Sequence, residues 1–207
     1  MQRFVDSIRK AIKDENWFSA IFIALAMPDI CGNLEDPSVG NVGKKYRKWF
    51  NQYLKDKYDH ENEWERRLNI DPSTAKALID NAKGNANAQQ YINDQKNKKI
   101  ERKCRFTAQD CYKFRCACLH AGMAKSERGP INLTPPMSNG SIVHMVIING
   151  DLQLQIDIFC EDVCKAVEVW MNKKASSHHI QNRIKELIFV EPIKIGGGNL
   201  LSPYDCQ

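Results

Sequence analysis

Phe4, Ile8 and Ile12 recur at every fourth position, the stripe of an amphipathic helix that buries one face. Asp14, Glu15 and Asn16 interrupt it. From Trp17 to Met27 the chain is apolar almost all round, broken only by Ser19, which predicts a helix at the centre of a bundle. Pro28 and Gly32 are expected to bracket its end. Beyond a loop with Pro37, Gly40 and Gly43, the residues Tyr46, Trp49, Phe50, Tyr53 and Leu54 fall at i, i+3, i+4, i+7 and i+8. They predict a third helix whose other face is rich in Lys and Arg.

Between Tyr58 and Cys104 the periodicity weakens. A short helix is expected from Pro72 to Lys83, with Asp71 as cap and Pro72 in the first turn. Asn81 to Asn97 is dense in Asn, Gln, Ala and Lys without a sustained apolar face, so residues 60–103 read as a polar and basic insertion. Thr107 with Asp110 three positions on approximates a capping box, and Gly122 supplies a stop, which fixes a helix from about Ala108 to Ala121. Ile142 to Ile148, the dipeptide Asn149-Gly150 and the alternation of Leu152, Leu154, Ile156 and Ile158 with polar residues predict a β-hairpin over 142–158. Val163, Val167 and Trp170 give one more helical stripe. Ile180, Ile184, Leu187 and Ile188 give another, before a frayed tail over 194–207 that holds Gly196, Gly197 and Gly198.

With 207 residues, one domain is expected, since domains average roughly 150 residues. Hydrophobic residues at 43% and charged residues at 27% are ordinary globular values. The Trp17 to Met27 run falls short of the ~20 residues of a membrane span. Met1 to Lys13 carries Asp6 and an amphipathic pattern rather than a basic segment followed by an apolar one, so no secretory leader is expected and the compartment is read as cytoplasmic. Reduced thiols are expected for the eight cysteines. A net charge of +5 permits an acidic partner such as RNA without demonstrating one.

The chain contains no phosphate-binding glycine loop, dinucleotide fingerprint, zinc-protease motif or serine-hydrolase elbow, and no cofactor is expected. Cys104, Cys111, Cys116, Cys118 and His120 lie within seventeen residues, but Cys116 and Cys118 on one helix point about 200° apart. No metal is therefore expected. On the Ala108 to Ala121 helix, Phe114, Ala117, Cys118 and Ala121 share a core face. Tyr112, Arg115, Cys116 and Leu119 form a second patch, with His120 at its edge. Such a helix is either deeply central or shared with a second subunit.

Arg115 and His120 fit one reaction class. Imidazole can take a proton from a ribose 2′-hydroxyl or return one to a leaving 5′-oxygen, while guanidinium stabilises the phosphate between them. Two copies about a two-fold axis would supply two such pairs to one cleft. The competing reading is a surface Arg and a His that interacts with the last helix carbonyls. Lys96, Lys98, Lys99, Arg102, Lys103 and Arg105 form the most basic block; it would draw RNA in, or serve only as a solvated tether.

The string Arg115-Cys116-Ala117-Cys118-Leu119-His120 resembles the R-x4-6-H motif of the HEPN superfamily. The resemblance extends through Asn16-Trp17, Pro28-Asp29-Ile30-Cys31, Tyr46-Arg47-Lys48-Trp49-Phe50 and Asp110-Cys111-Tyr112. It covers roughly the first 125 residues. It implies a mainly α, HEPN-like four-helix-type bundle, a homodimer with the motif at its cleft, and metal-independent endoribonuclease activity in toxin–antitoxin or anti-phage defence settings. It also implies Arg115 as the phosphate-stabilising residue and His120 as general acid/base. Asp29 and Tyr112 are weaker supporting candidates. Cys116 stands where active members often carry a polar residue, which points to the alternative: a non-catalytic module that binds RNA or a nucleotide, or assembles with a cognate antitoxin or other partner protein.

Overall fold

A computed structural model of the chain describes residues 1–190 except 39, 127, 128 and 189. The expected tail over 194–207 lies outside the described residues. Helix α1 (Gln2–Lys13) buries Val5, Ile8 and Ala11, with Phe4 and Ile12 packed at the margin. Helix α2 (Trp17–Glu35) starts where Asn16 accepts a hydrogen bond from the Ser19 amide and runs through the middle of the core.

The expected stop at Pro28 does not occur. Proline cannot donate to the carbonyl one turn back, a defect of about 3 kcal/mol in a helix interior. Here Pro28 is itself buried, and continuing the helix also buries Cys31, Gly32 and Leu34. Tertiary burial therefore overrides the local break. The full helix is consequently long and apolar enough to cross a membrane by length and composition, as no other among the described residues is, and half of its apolar window is buried inside the fold.

Helix α3 (Val42–Tyr53) buries Tyr46, Trp49 and Phe50 against α2, and a short α4 (Lys55–Tyr58) follows. Then come α5 (Glu63–Ile70), α6 (Pro72–Ala82) and α7 (Ala86–Asn97). Asp71 caps α6 as expected, accepting from the Thr74 amide. The exposed insertion expected over Asn81 to Asn97 is mostly helix α7, and most of its residues are exposed. Asn85 caps it, and Ala88 and Ile92 are its buried contacts. Ile92, with Trp64, Ala75, Leu78 and Ala82, forms a small core separate from the main one, too sparse to produce a stripe in the sequence.

Helix α8 (Ala108–Ala121) has the expected capping box and ends at Gly122, whose φ of 63° suits the left-handed stop. Strands β1 (Lys125–Ser126), β2 (Gly129–Thr134), β3 (Val146–Ile148) and β4 (Asp151–Gln155) form a mixed sheet in the order β1-β2-β4-β3. The β3–β4 hairpin turns at Asn149 and Gly150, both with positive φ. It is shorter than expected: Ile142 precedes it, while Ile156 and Ile158 open helix α9 (Ile156–Lys174). The predicted alternation fails because β4 is an inner strand, parallel to β2 on its other edge, and Gln153 and Gln155 are buried beside Leu152 and Leu154. Helix α10 (His178–Lys185) closes the described chain, with Ile180 buried.

The protein is thus mainly helical with a small mixed sheet. Helices α1, α3 and α9 pack around α2, and α8 lies against α2 and α3. Arg9 ties α1 to α9 through Glu161 and Glu168, and Trp170 donates to Glu35 at the end of α2 (2.8 Å).

Candidate active site

The register of α8 is set at its start. Asp110 has no solvent exposure; it accepts from the Thr107 amide (2.9 Å) and pairs with Arg102 (2.8 Å). Arg115 and His120 follow toward the other end. Five residues correspond to about 140° around the helix axis and about 7.5 Å along it, and the Arg115 side chain closes that gap. Its Nη1 lies 3.1 Å from His120 Nε2. Guanidinium has no acceptor, so it donates, and this contact requires an imidazole with its lone pair on Nε2. His120 is exposed.

Asp29 joins the pair from α2, with Oδ2 2.7 Å from Arg115 Nε; the two side chains are only 16% and 18% exposed. Neither group completes a well-aligned hydrogen bond at those atoms, so the contact is one of charge. Burial pushes the Asp29 carboxyl above its ordinary pKa, and the charges of Arg115 and His120 pull in the opposite direction. Burial also disfavours the Arg115 cation, but Asp29 and Cys116 more than compensate and raise its pKa. Cys116 Sγ lies 4.0 Å from Arg115 Nη1.

Tyr112 serves packing. A β-carbon on Gly43 would come within 2.8 Å of Tyr112 Cζ, so only glycine lets α3 approach this ring. The Arg47 guanidinium lies 5.4 Å from the ring centroid, and Tyr46 meets the ring at 5.6 Å between centroids. Burial pushes the Tyr112 phenol up, with Cys116 adding to the effect.

The six residues of the basic block do not act alike. Lys96, Lys98 and Lys99 are exposed. Arg102 supports the α8 cap, Lys103 pairs with Glu101 (2.8 Å), and Arg105 pairs with buried Asp59 (2.7 Å). None of the six lines the cleft beside Arg115 and Asp29. That cleft, about 580 Å³ in volume, has Lys45 in its wall. Lys45 appears in the sequence as one of the cations on α3, yet it is only 8% exposed. The signal was its position four residues before Trp49, on the core-facing side.

The seven described cysteines are unpaired, and no group of three or more His, Cys, Asp or Glu among the described residues is placed to hold a metal ion. In comparisons with known proteins, no family model, curated protein or solved structure matches the chain.

Proposed function

We propose that this chain is a HEPN-like, metal-independent endoribonuclease acting at a homodimer cleft. The observation that carries the reading is the 3.1 Å contact between Arg115 Nη1 and His120 Nε2, at a helix end where His120 remains open to solvent. In the reaction, a substrate phosphate takes the Arg115 fork and releases the Nε2 lone pair. His120 then accepts the 2′-hydroxyl proton as the 2′-oxygen attacks the adjacent phosphorus. The bond to the 5′-oxygen breaks, and the imidazolium of the second copy returns a proton to that oxygen. The products are a 2′,3′-cyclic phosphate and a free 5′-hydroxyl. Arg115 stabilises the charge on the phosphorane, and Asp29 positions Arg115 by its charge.

End-labelled structured RNA incubated with the protein in excess EDTA tests this reading. Cleavage should leave cyclic phosphate ends and disappear in His120→Ala and Arg115→Ala. Intact RNA with the wild type, or cleavage that survives in both variants, would overturn it. A non-catalytic RNA-binding or assembly module is favoured by one observation, the Asp29 carboxylate against Arg115, which offsets part of the charge a phosphorane needs. That module predicts RNA retention without new termini.

A further inference from the structure

A buried lysine ordinarily has a carboxylate beside it, because removing an ammonium from water without a counter-charge is costly. Lys45 lacks one. Its Nζ donates to the neutral amide oxygen of Asn33 (2.8 Å), and none of the carboxylates of the described residues pairs with it. An ammonium carries three hydrogens, so this partner leaves two N–H groups. Lys45 lies in the wall of the roughly 580 Å³ cleft that also contains Arg115 and Arg183. Arg183 Nη1 donates to the carbonyl oxygens of Leu34 and Glu35 at the end of α2 (2.7 and 3.4 Å), and its charge likewise pairs with none of the carboxylates of the described residues. The three cations come from α3, α8 and α10, and the carboxylates in the wall are Asp29 and Glu186. The rest of the wall includes Ile30, Leu34, Val42 and Leu187, suited to the face of a base or sugar. Its volume falls within the ~300–1,000 Å³ of small-ligand sites.

We infer that this cleft is a nucleotide subsite, in which Lys45 and Arg183 hold a phosphate next to the one bound by Arg115 and the apolar wall holds its nucleoside. The inference rests on the nuclease reading for its place in the reaction, but binding is measurable without cleavage. Lys45 binds the strand; it does not take part in proton transfer. The bound phosphate supplies the counter-charge that Lys45 otherwise lacks.

The test is calorimetric titration with a 2′-deoxy dinucleotide bearing a 5′-phosphate, which has no 2′-hydroxyl and cannot be cleaved by this route. The wild type should bind it saturably. Lys45→Met, which keeps the unbranched stem, should bind at least about tenfold more weakly, the loss expected for one charge-assisted hydrogen bond, while Lys45→Arg should recover part of it. Thermal melts establish that each variant is folded. No saturable binding by the wild type, or equal binding by folded Lys45→Met, overturns the subsite. If RNA is cleaved but Lys45→Met changes neither nucleotide affinity nor KM, the subsite fails and the nuclease reading stands. If the dinucleotide binds through Lys45 while RNA stays intact, the nuclease reading fails and the subsite stands.

Discussion

Gly32 of α2 lies directly against Lys45 of α3: a β-carbon on Gly32 would sit 3.1 Å from Lys45 Cβ and 3.4 Å from its carbonyl carbon and oxygen. The obstacles are a β-carbon and backbone, so they cannot swing away as a side-chain tip would. Alanine at this position gains about 1 kcal/mol of helix propensity but forces the two helices apart at a cost of about 1–3 kcal/mol. Gly32→Ala should therefore lower stability by about 1 kcal/mol, or about 2–4 °C in Tm for a chain of this size. Scanning calorimetry of the variant checks it, and a rise in Tm would show that α3 yields easily.

The cap of α8 should matter more than its position at a helix end suggests. Asp110 satisfies the Thr107 amide and hydroxyl and the Arg102 guanidinium at once. Asp110→Ala should cost about 1–2 kcal/mol, chiefly the lost cap, since Thr107 is half-buried and Arg102 half-exposed. Urea denaturation measures it, and the Arg102→Ala background should reduce the penalty, because the two residues share one interaction.

Stability should fall on mild acidification through His144. Its Nδ1 accepts from the Gln155 amide (3.2 Å), a contact that needs the neutral ring. Burial holds the pKa below 6.5, assisted by Lys57 and opposed by Asp162 and Asp157. In the window from about 6.5 down to the lowered folded value, the unfolded chain therefore binds the extra proton. The contribution of this residue is present above that window and lost as pH falls through it. Urea midpoints at about pH 7.5 and about pH 5.5 should differ less in His144→Gln than in the wild type.

If RNA contacts the basic block, its six cations should separate by assay. Lys98→Ala with Lys99→Ala should leave Tm nearly unchanged and reduce the salt slope of single-stranded RNA binding by about 1.4, the value for two phosphate contacts. Arg105→Ala should instead lower Tm, because it leaves buried Asp59 without its partner. Identical behaviour of the two sets would remove the distinction.

The features legible in the sequence were those written in neighbouring residues. Thr107 and Asp110 announce α8, Asp71 and Pro72 announce α6, and Asn149-Gly150 announces the hairpin turn, because each motif satisfies backbone groups within a few positions. The continuation of α2 through Pro28 depends on what Cys31 and Leu34 bury, and that burial comes from other parts of the chain. The parallel pairing of β2 with β4 joins Ile131 to Leu152 across the whole hairpin, a contact that local periodicity does not encode. The geometry of the candidate site divides the same way. Arg115 and His120 share a helix and could be related by angle alone, whereas the approach of Asp29 and the burial of Lys45 depend on how α2, α3 and α8 pack.

Helices α5 to α7 leave and rejoin the main body at adjacent points. The Glu63 amide donates to the Lys98 carbonyl and the Ile100 amide to the Glu61 carbonyl, each at 3.0 Å, across the bridge of Asn62 with Lys99. Because the small core of these helices is separate from the one containing Tyr58 and Phe106, a short turn could replace them without stretching the chain on either side. This geometry makes the segment an exchangeable cassette. Its length and surface can diverge among descendants of the chain while the helices carrying Arg115 and Asp29 keep their places.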